Sequence, residues 1–189
     1  MPIHTLKCAR KLAFCFMLGL LASSYAQEAI SSNGLKGIGA FQNVRSDGEH
    51  ADGYSVSLWS REGKIFGLIS HHRGLIGDPP MGILTDVQYD PSSGDISFKA
   101  RITDGIHYCK EHNGVPSRDL ISFHGILKKD MLEGDLVLTD ELHSPATIEE
   151  ERLKFSMPRE DEYELKDYAD YDAWWKYWEP VYKFRGAKW

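Results

Sequence analysis

The chain has 189 residues, of which 42% are hydrophobic and 26% charged, and its formal net charge is −6. That is enough length for one domain with a real core, and the acidic balance argues against nucleic acid or an anionic membrane surface as a partner. The chain carries no P-loop, dinucleotide fingerprint, G-x-S-x-G or H-E-x-x-H, so the enzyme classes those motifs mark are excluded.

Residues 1–26 read as a secretory signal peptide. Lys7, Arg10 and Lys11 supply a positive start, Leu12 to Ala22 is apolar, and Ser24-Tyr25-Ala26 offers small residues at a cleavage position. As a helix the apolar run would rise only about 16 Å, against roughly 30 Å of bilayer hydrocarbon, which predicts export with cleavage near Ala26 rather than stable membrane insertion. Cleavage would remove three basic and no acidic residues, taking the net charge from −6 to −9, and would leave Cys109 as the only cysteine. An exported chain with no internal disulfide, and no Asn-x-Ser/Thr at Asn33, Asn43 or Asn113, fits a periplasmic or bacterially secreted protein.

A flexible N-terminus is expected over 27–35 and an antiparallel β-barrel over 36–158. Period-two alternation dominates, most cleanly in Ile96-Ser97-Phe98-Lys99-Ala100-Arg101-Ile102. Tyr54, Val56 and Leu58 alternate with serines in the same way, as do Ile121, Phe123 and Leu127 with Ser122 and His124. Eight strands are predicted, near 36–43, 53–60, 64–72, 82–90, 95–102, 120–127, 131–139 and 149–157. Tight turns at 60–63, 90–94 and 128–130 alternate with longer connections at 44–52, 73–81, 103–119 and 140–148. In an up-and-down meander the long connections share one end, where function concentrates on a rigid scaffold. Gly67, Gly125 and Gly134 lie inside strand patterns, where glycine often marks a bend or close approach. Full closure would remove exposed edges; an open sandwich is the alternative.

Gly39-Ala40-Phe41 in the first strand resembles the Gly-x-Trp signature of lipocalins, with Phe in place of Trp. With the layout of leader, eight strands and a late helix, the chain is similar to the calycin group, lipocalins and avidins. The resemblance implies a cup-shaped barrel with a small apolar ligand or a partner protein at its mouth. It gives Arg152 the part of a late-strand arginine packed over the aromatic ring.

The last part, 159–189, reads as an acidic linker followed by an aromatic helix stopped by Pro180. Tyr171, Trp175 and Trp178 fall on one face at i, i+4 and i+7, with Trp174, Tyr177 and Val181 broadening the stripe. A buried aromatic removes 150–250 Å² from water, about 4–6 kcal/mol gross, so such rings are expected to dock on the outside of the sheet. The sharper reading makes Trp174, Trp175 and Trp178 a partner-binding surface.

Six histidines fall in or beside the long connections: His50, His71, His72, His107, His112 and His143. His107-x-Cys109-x-x-His112 combines imidazole and thiol, the donors zinc or copper would take, although the spacing matches no established signature. Arg73, Asp78 and His143 are the candidate ligand contacts at the same end. The leading expectation is a non-enzymatic exported protein that binds a small ligand or an envelope protein through the long-loop end, without a cofactor. The alternatives are a metal-dependent or acid–base hydrolase using loop histidines, and an assembly or inhibitor protein using the aromatic helix.

Overall fold

The structure is a computed structural model that describes residues 34–108, 113–142, 151–160 and 165–189, with 151–156 as backbone only. The expected leader and residues 27–33 lie outside the described residues. The fold is mainly antiparallel β with one helix near the C-terminus.

The first sheet runs β1 (Lys36–Gln42), β3 (His50–Arg61), β4 (Lys64–Leu75), β5 (Met81–Ile83), with the short β2 (Arg45–Ser46) paired to β3. The second runs β12 (Glu151–Pro158), β11 (Met131–Asp140), β10 (Asp119–Leu127), β7 (Asp95–Ile102), β6 (Thr85–Tyr89). A separate hairpin joins β8 (Ile106–Tyr108) to β9 (Asn113–Pro116).

Two expectations change here. The strand expected over 82–90 is two strands, β5 and β6, which belong to different sheets and meet at Leu84. At that corner the Leu84 N–H donates to the Gly67 carbonyl at 2.9 Å. Gly67 permits the approach: a Cβ there would stand 2.8 Å from a Leu84 methyl. The connection expected over 103–119 holds the hairpin β8–β9, too short for alternation to announce it.

Gly125 and Gly134 face each other across β10 and β11, where a Cβ on either would fall 2.7 Å from the other's Cα. At the opposite edges, Phe41 of β1 forms an isolated bridge with Arg159, and the Glu160 N–H donates to the Ala40 carbonyl at 2.7 Å.

Alternation sorts the side chains into two cores. Phe41, Val56, Leu58 and Ile69 of the first sheet meet Phe98, Ile121, Phe123 and Leu136 of the second, and these fill the space between the sheets. The opposite face of the first sheet carries Trp59, Leu68 and Met81, which pack with Leu35, Leu165, Tyr168 and Trp174 into a second core. Leu35, expected at the end of a flexible N-terminus, is fully buried there and exchanges both backbone hydrogen bonds with Tyr168. Residues expected to form only a linker therefore carry structure at Arg159, Glu160, Leu165 and Tyr168.

The helix α1 (Tyr171–Arg185) begins at Asp170, whose carboxylate accepts from the Ala173 N–H at 2.8 Å. It runs through Pro180 instead of stopping there. Proline removes one helix hydrogen bond at an exposed position, while Val181 and Tyr182 beyond it are held by the second core. Beyond the helix, Gly186 bridges Met81, Lys188 N–H donates to Thr103 Oγ1 at 3.0 Å, and the Trp189 indole donates to the Ile102 carbonyl at 2.9 Å. The buried face is also rotated from the expected one. Trp174 is its centre at 0% exposure, flanked by Trp175 and Trp178, whereas Tyr177 is 55% exposed. The reason lies in Trp59, which receives Trp174 and Trp178 edge-on at ring separations of 5.7 and 5.9 Å.

Candidate ligand site beneath the C-terminal helix

Among the described residues, contacts tie the long connections to one another at one end. Ile76 N–H donates to the Glu49 carbonyl at 2.7 Å, His71 contacts Asp104, and Glu141 N–H donates to the Arg118 carbonyl at 2.7 Å. Each bond ties one connection, or the strand end beside it, to the next. The face turned to the first core is closed by a polar cluster. His71 stacks on Tyr54 with ring centroids 4.5 Å apart and planes 7° apart. Its Nδ1 is 2.9 Å from Asp104 Oδ2, at ion-pair distance but off the line of a hydrogen bond. The Ser117 hydroxyl donates to the Asp119 carboxylate, and the Asp104 N–H is shared between Ser117 Oγ at 2.7 Å and Asp119 Oδ2 at 3.3 Å. Burial raises the Asp119 pKa above the usual carboxylate value; the Ser117 and Asp104 bonds oppose that shift, and the Asp104 and Asp140 charges add to it. Ser117 is committed to Asp119, so this serine, histidine and aspartate are not arranged as a nucleophile and its base.

The other face of the same strands is different. Register places Gln42, Ser55, Ser70 and Met81 opposite one another in one row across β1, β3, β4 and β5. The next row is Ala40, Ser57, Leu68 and Ile83, and the one after holds Trp59 opposite Phe66. Helix α1 rests its first half on the large aromatic row, and its second half overhangs the small residues. Serine and alanine cannot fill the gap, so a cavity of about 320 Å³ remains, with Ser55, Ser57 and Ser70 on its floor and Trp178 opposite.

The cavity carries one charge of each sign. Arg185, on the last turn of α1, is held by its Nε–H, which donates to the Pro79 carbonyl at 2.7 Å; its Nη1 is 3.9 Å from the exposed Asp78 carboxylate. Glu160 accepts from the Gln42 side-chain amide at the β1 side. His72 stands at the cavity's edge, where its Nε2 shares a hydrogen bond with Ser55 Oγ at 3.0 Å. Burial lowers the His72 pKa below its ordinary 6.5, and the charges of Arg185 and His71 lower it further, so the ring is neutral at physiological pH. A hydroxyl hydrogen-bonded to a neutral imidazole is half of a nucleophilic pair, but among the described residues no carboxylate bonds the other ring nitrogen.

Of the residues proposed from sequence, Trp178 lines the cavity, whereas Trp174 is wholly buried and Trp175 partly buried in the second core. Arg73 and Asp78 both have side chains 70% exposed; Arg73 approaches Asp104 at 3.9 Å, and Asp78 flanks the cavity through Arg185. His71 and His72 point to opposite faces because neighbours on a strand must, and His50 lies 3.8 Å from Asp47. His107 sits on β8 opposite Val115. Cys109, His112 and His143 lie outside the described residues. Among the described residues, no group of three or more His, Cys, Asp or Glu could hold a metal ion, and no helix is long and apolar enough to cross a membrane. Sequence reading passed over Arg185, Glu160 and the three serines; their alternation with the core residues of β3 and β4 was the available signal.

No family model matches the chain, and comparison with curated proteins and with solved structures finds no match.

Proposed function

We propose that the chain is an exported, non-enzymatic binding protein that takes a small ligand into the cavity between α1 and the first sheet, beside the long-loop end. The observation that carries the reading is the 320 Å³ space whose walls mix hydroxyls, one guanidinium, one carboxylate and an indole. Ligand sites combine an apolar wall with a few placed polar groups, and this volume lies at the small end of their range of about 300–1,000 Å³. A loosely packed helix over an apolar sheet would leave no such polar set.

The scaffold belongs with this proposal. The corner at Leu84 passes the chain from the first sheet to the second, and the Phe41–Arg159 bridge links the two remaining edges. Both joints support a barrel of eight strands, with β5 and β6 counted as one strand bent at Leu84. Arg159 reaches Gly39 with its guanidine Nε 3.0 Å from where a Cβ would stand. That supports a calycin-like relationship in which Arg159, seven residues beyond the expected Arg152, accompanies the Gly39-Ala40-Phe41 segment. Arg152 pairs with Val137 in register. Export rests on the residues of the 1–26 segment, and recovery of a chain beginning at Gln27 outside the cytoplasm would test it.

For the site, the test is ligand-observed NMR with a library of small polar metabolites against the wild type and Ser57→Phe, a ring placed on the cavity floor. Saturable binding that Ser57→Phe removes, with the fold intact by circular dichroism, is the expected result. Binding unchanged in Ser57→Phe and in Ser70→Leu would refute the site.

A further inference from the structure

The cavity holds two opposite charges that are not joined to each other. The Arg185 guanidinium donates to the Pro79 carbonyl, lies 3.9 Å from the Asp78 carboxylate and acts through its charge on the neutral His72 ring, while Glu160 is engaged by Gln42. They stand at opposite ends of one row. Glu160 is tied to β1 through the Ala40 carbonyl, and Arg185 is tied to the β5 edge through Pro79 and the Gly186–Met81 bridge. Strands in a sheet are about 4.7–4.9 Å apart, so three spacings separate the two edges by about 14 Å. Long side chains reaching inward from both edges shorten the gap between the charges to less than that.

Between the charges lie hydroxyls of Ser55, Ser57 and Ser70, short neutral groups that can donate or accept. The one countercharge of Arg185 is 3.9 Å away and Glu160 is met by a neutral amide, so each gains when a ligand brings the opposite sign within hydrogen-bond distance. A neutral sugar would satisfy the serines and leave Arg185 with only its 3.9 Å approach to Asp78 and Glu160 with only a neutral amide. A simple anion would answer Arg185 and leave Glu160 facing the same space, and a simple cation would do the reverse. Only a ligand carrying both signs, spaced apart, answers both ends.

Resting on the cavity reading, we infer that the site recognises a short zwitterion of amino-acid to dipeptide size, with its carboxylate on Arg185, its ammonium on Glu160 and its backbone over the serine floor. Guanidinium suits the first role because its planar fork matches a carboxylate. The Trp178 ring forms a wall of the same space.

Isothermal titration calorimetry on the protein tests this with the twenty common amino acids and their alanyl dipeptides as probes. The tightest binder is then compared with its N-acetyl and its C-terminal amide forms. The free form should bind at least tenfold more tightly than either blocked form. In Arg185→Gln the penalty for amidation should vanish while the penalty for acetylation persists; in Glu160→Gln the reverse should hold. Each comparison is made within one variant, so a modest loss of stability does not affect it. Blocked forms that bind as well as the free form, or penalties that survive both substitutions, would overturn the inference. If a neutral sugar binds instead, and Ser57→Phe removes that binding, the zwitterion is wrong and the cavity reading stands. If no small molecule shows saturable binding that Ser57→Phe removes, both fall.

Discussion

Replacing Trp174 by alanine tests whether the second core holds the helix to the sheet. The side chain is completely buried, edge-on to Trp59 at 5.7 Å and beside Tyr171 at 5.3 Å. A buried aromatic of 150–250 Å² corresponds to about 4–6 kcal/mol gross, and measured Trp→Ala changes in cores cost about 3–5 kcal/mol. One feature works against the full value. Among the described residues the buried Trp174 indole N–H has no hydrogen-bond partner, and such a group costs about 1–3 kcal/mol. Trp174→Ala should therefore lose about 3 kcal/mol and lower Tm by roughly 10 °C. Trp174→Phe keeps most of the ring and removes the unpartnered donor, so it should lose no more than about half as much. Urea unfolding followed by far-ultraviolet circular dichroism measures both without relying on tryptophan emission. A Trp174→Ala loss below about 1 kcal/mol would refute the docking. So would a Phe variant as unstable as the Ala variant, which would give the indole N–H a role the packing does not.

Three further outcomes are expected. The raised pKa of Asp119 means that its ionisation costs stability as pH rises from the ordinary carboxylate value of 3.8 through the folded-state value. Asp119→Asn, which can still accept from Ser117, should raise Tm at neutral pH and lose that advantage in strong acid; an equal shift at every pH would refute it. His72 has the opposite sense: its lowered pKa contributes stability above 6.5 that is lost as pH falls through the folded value. His72→Gln should flatten that acid-side decline in Tm between pH 7.5 and 5, and an unchanged slope would count against the burial of the ring beside Arg185. Gly134→Ala would drive a methyl to 2.7 Å from the Gly125 Cα and 2.8 Å from the Phe123 ring. It should cost about 1–3 kcal/mol in thermal or urea unfolding, whereas Gly77→Ala, where a Cβ would meet nothing among the described residues closer than the Leu75 carbonyl at 3.9 Å, should cost less.

Much of the fold was legible in local pattern. Asp95–Ile102 is the strand that alternation predicts, and the turns at 62–63, 90–94 and 128–130 join strands where glycine, proline and short polar runs mark them. Local pattern failed where a distant residue decides. At Leu84 the apolar pair Ile83-Leu84 followed by the polar pair Thr85-Asp86 interrupts the alternation, but the interruption does not say that the chain changes sheets, because the corner is set by Gly67 on another strand. Pro180 reads as a stop, but tertiary packing of Val181 and Tyr182 outweighs one lost hydrogen bond. The site failed for a related reason. Ser55, Ser57 and Ser70 have the spacing of a water-facing row, and the sequence does not show that a helix more than a hundred residues later roofs them. Trp178 was singled out for its chemistry, whereas Arg185 and Glu160 became visible only through the tertiary bonds that hold them, Arg185 to Pro79 and Glu160 to Ala40 and Gln42.

The contacts of β1 bear on how the chain folds as well as on what it binds. Gly37 N–H bonds Asp167, Gln42 bonds Glu160, and Leu35 pairs with Tyr168, over separations of 118 to 133 positions. Closing loops of that length slows folding, because chain entropy is spent before the contacts repay it. The first sheet therefore cannot cover its outer face until residues 159–185 are available, and until then Trp59, Leu68 and Leu35 stand open to water. During synthesis this leaves a long interval in which the nascent chain is sticky and incomplete. Recombinant versions ending before α1 should be recovered as aggregates rather than as a smaller working domain.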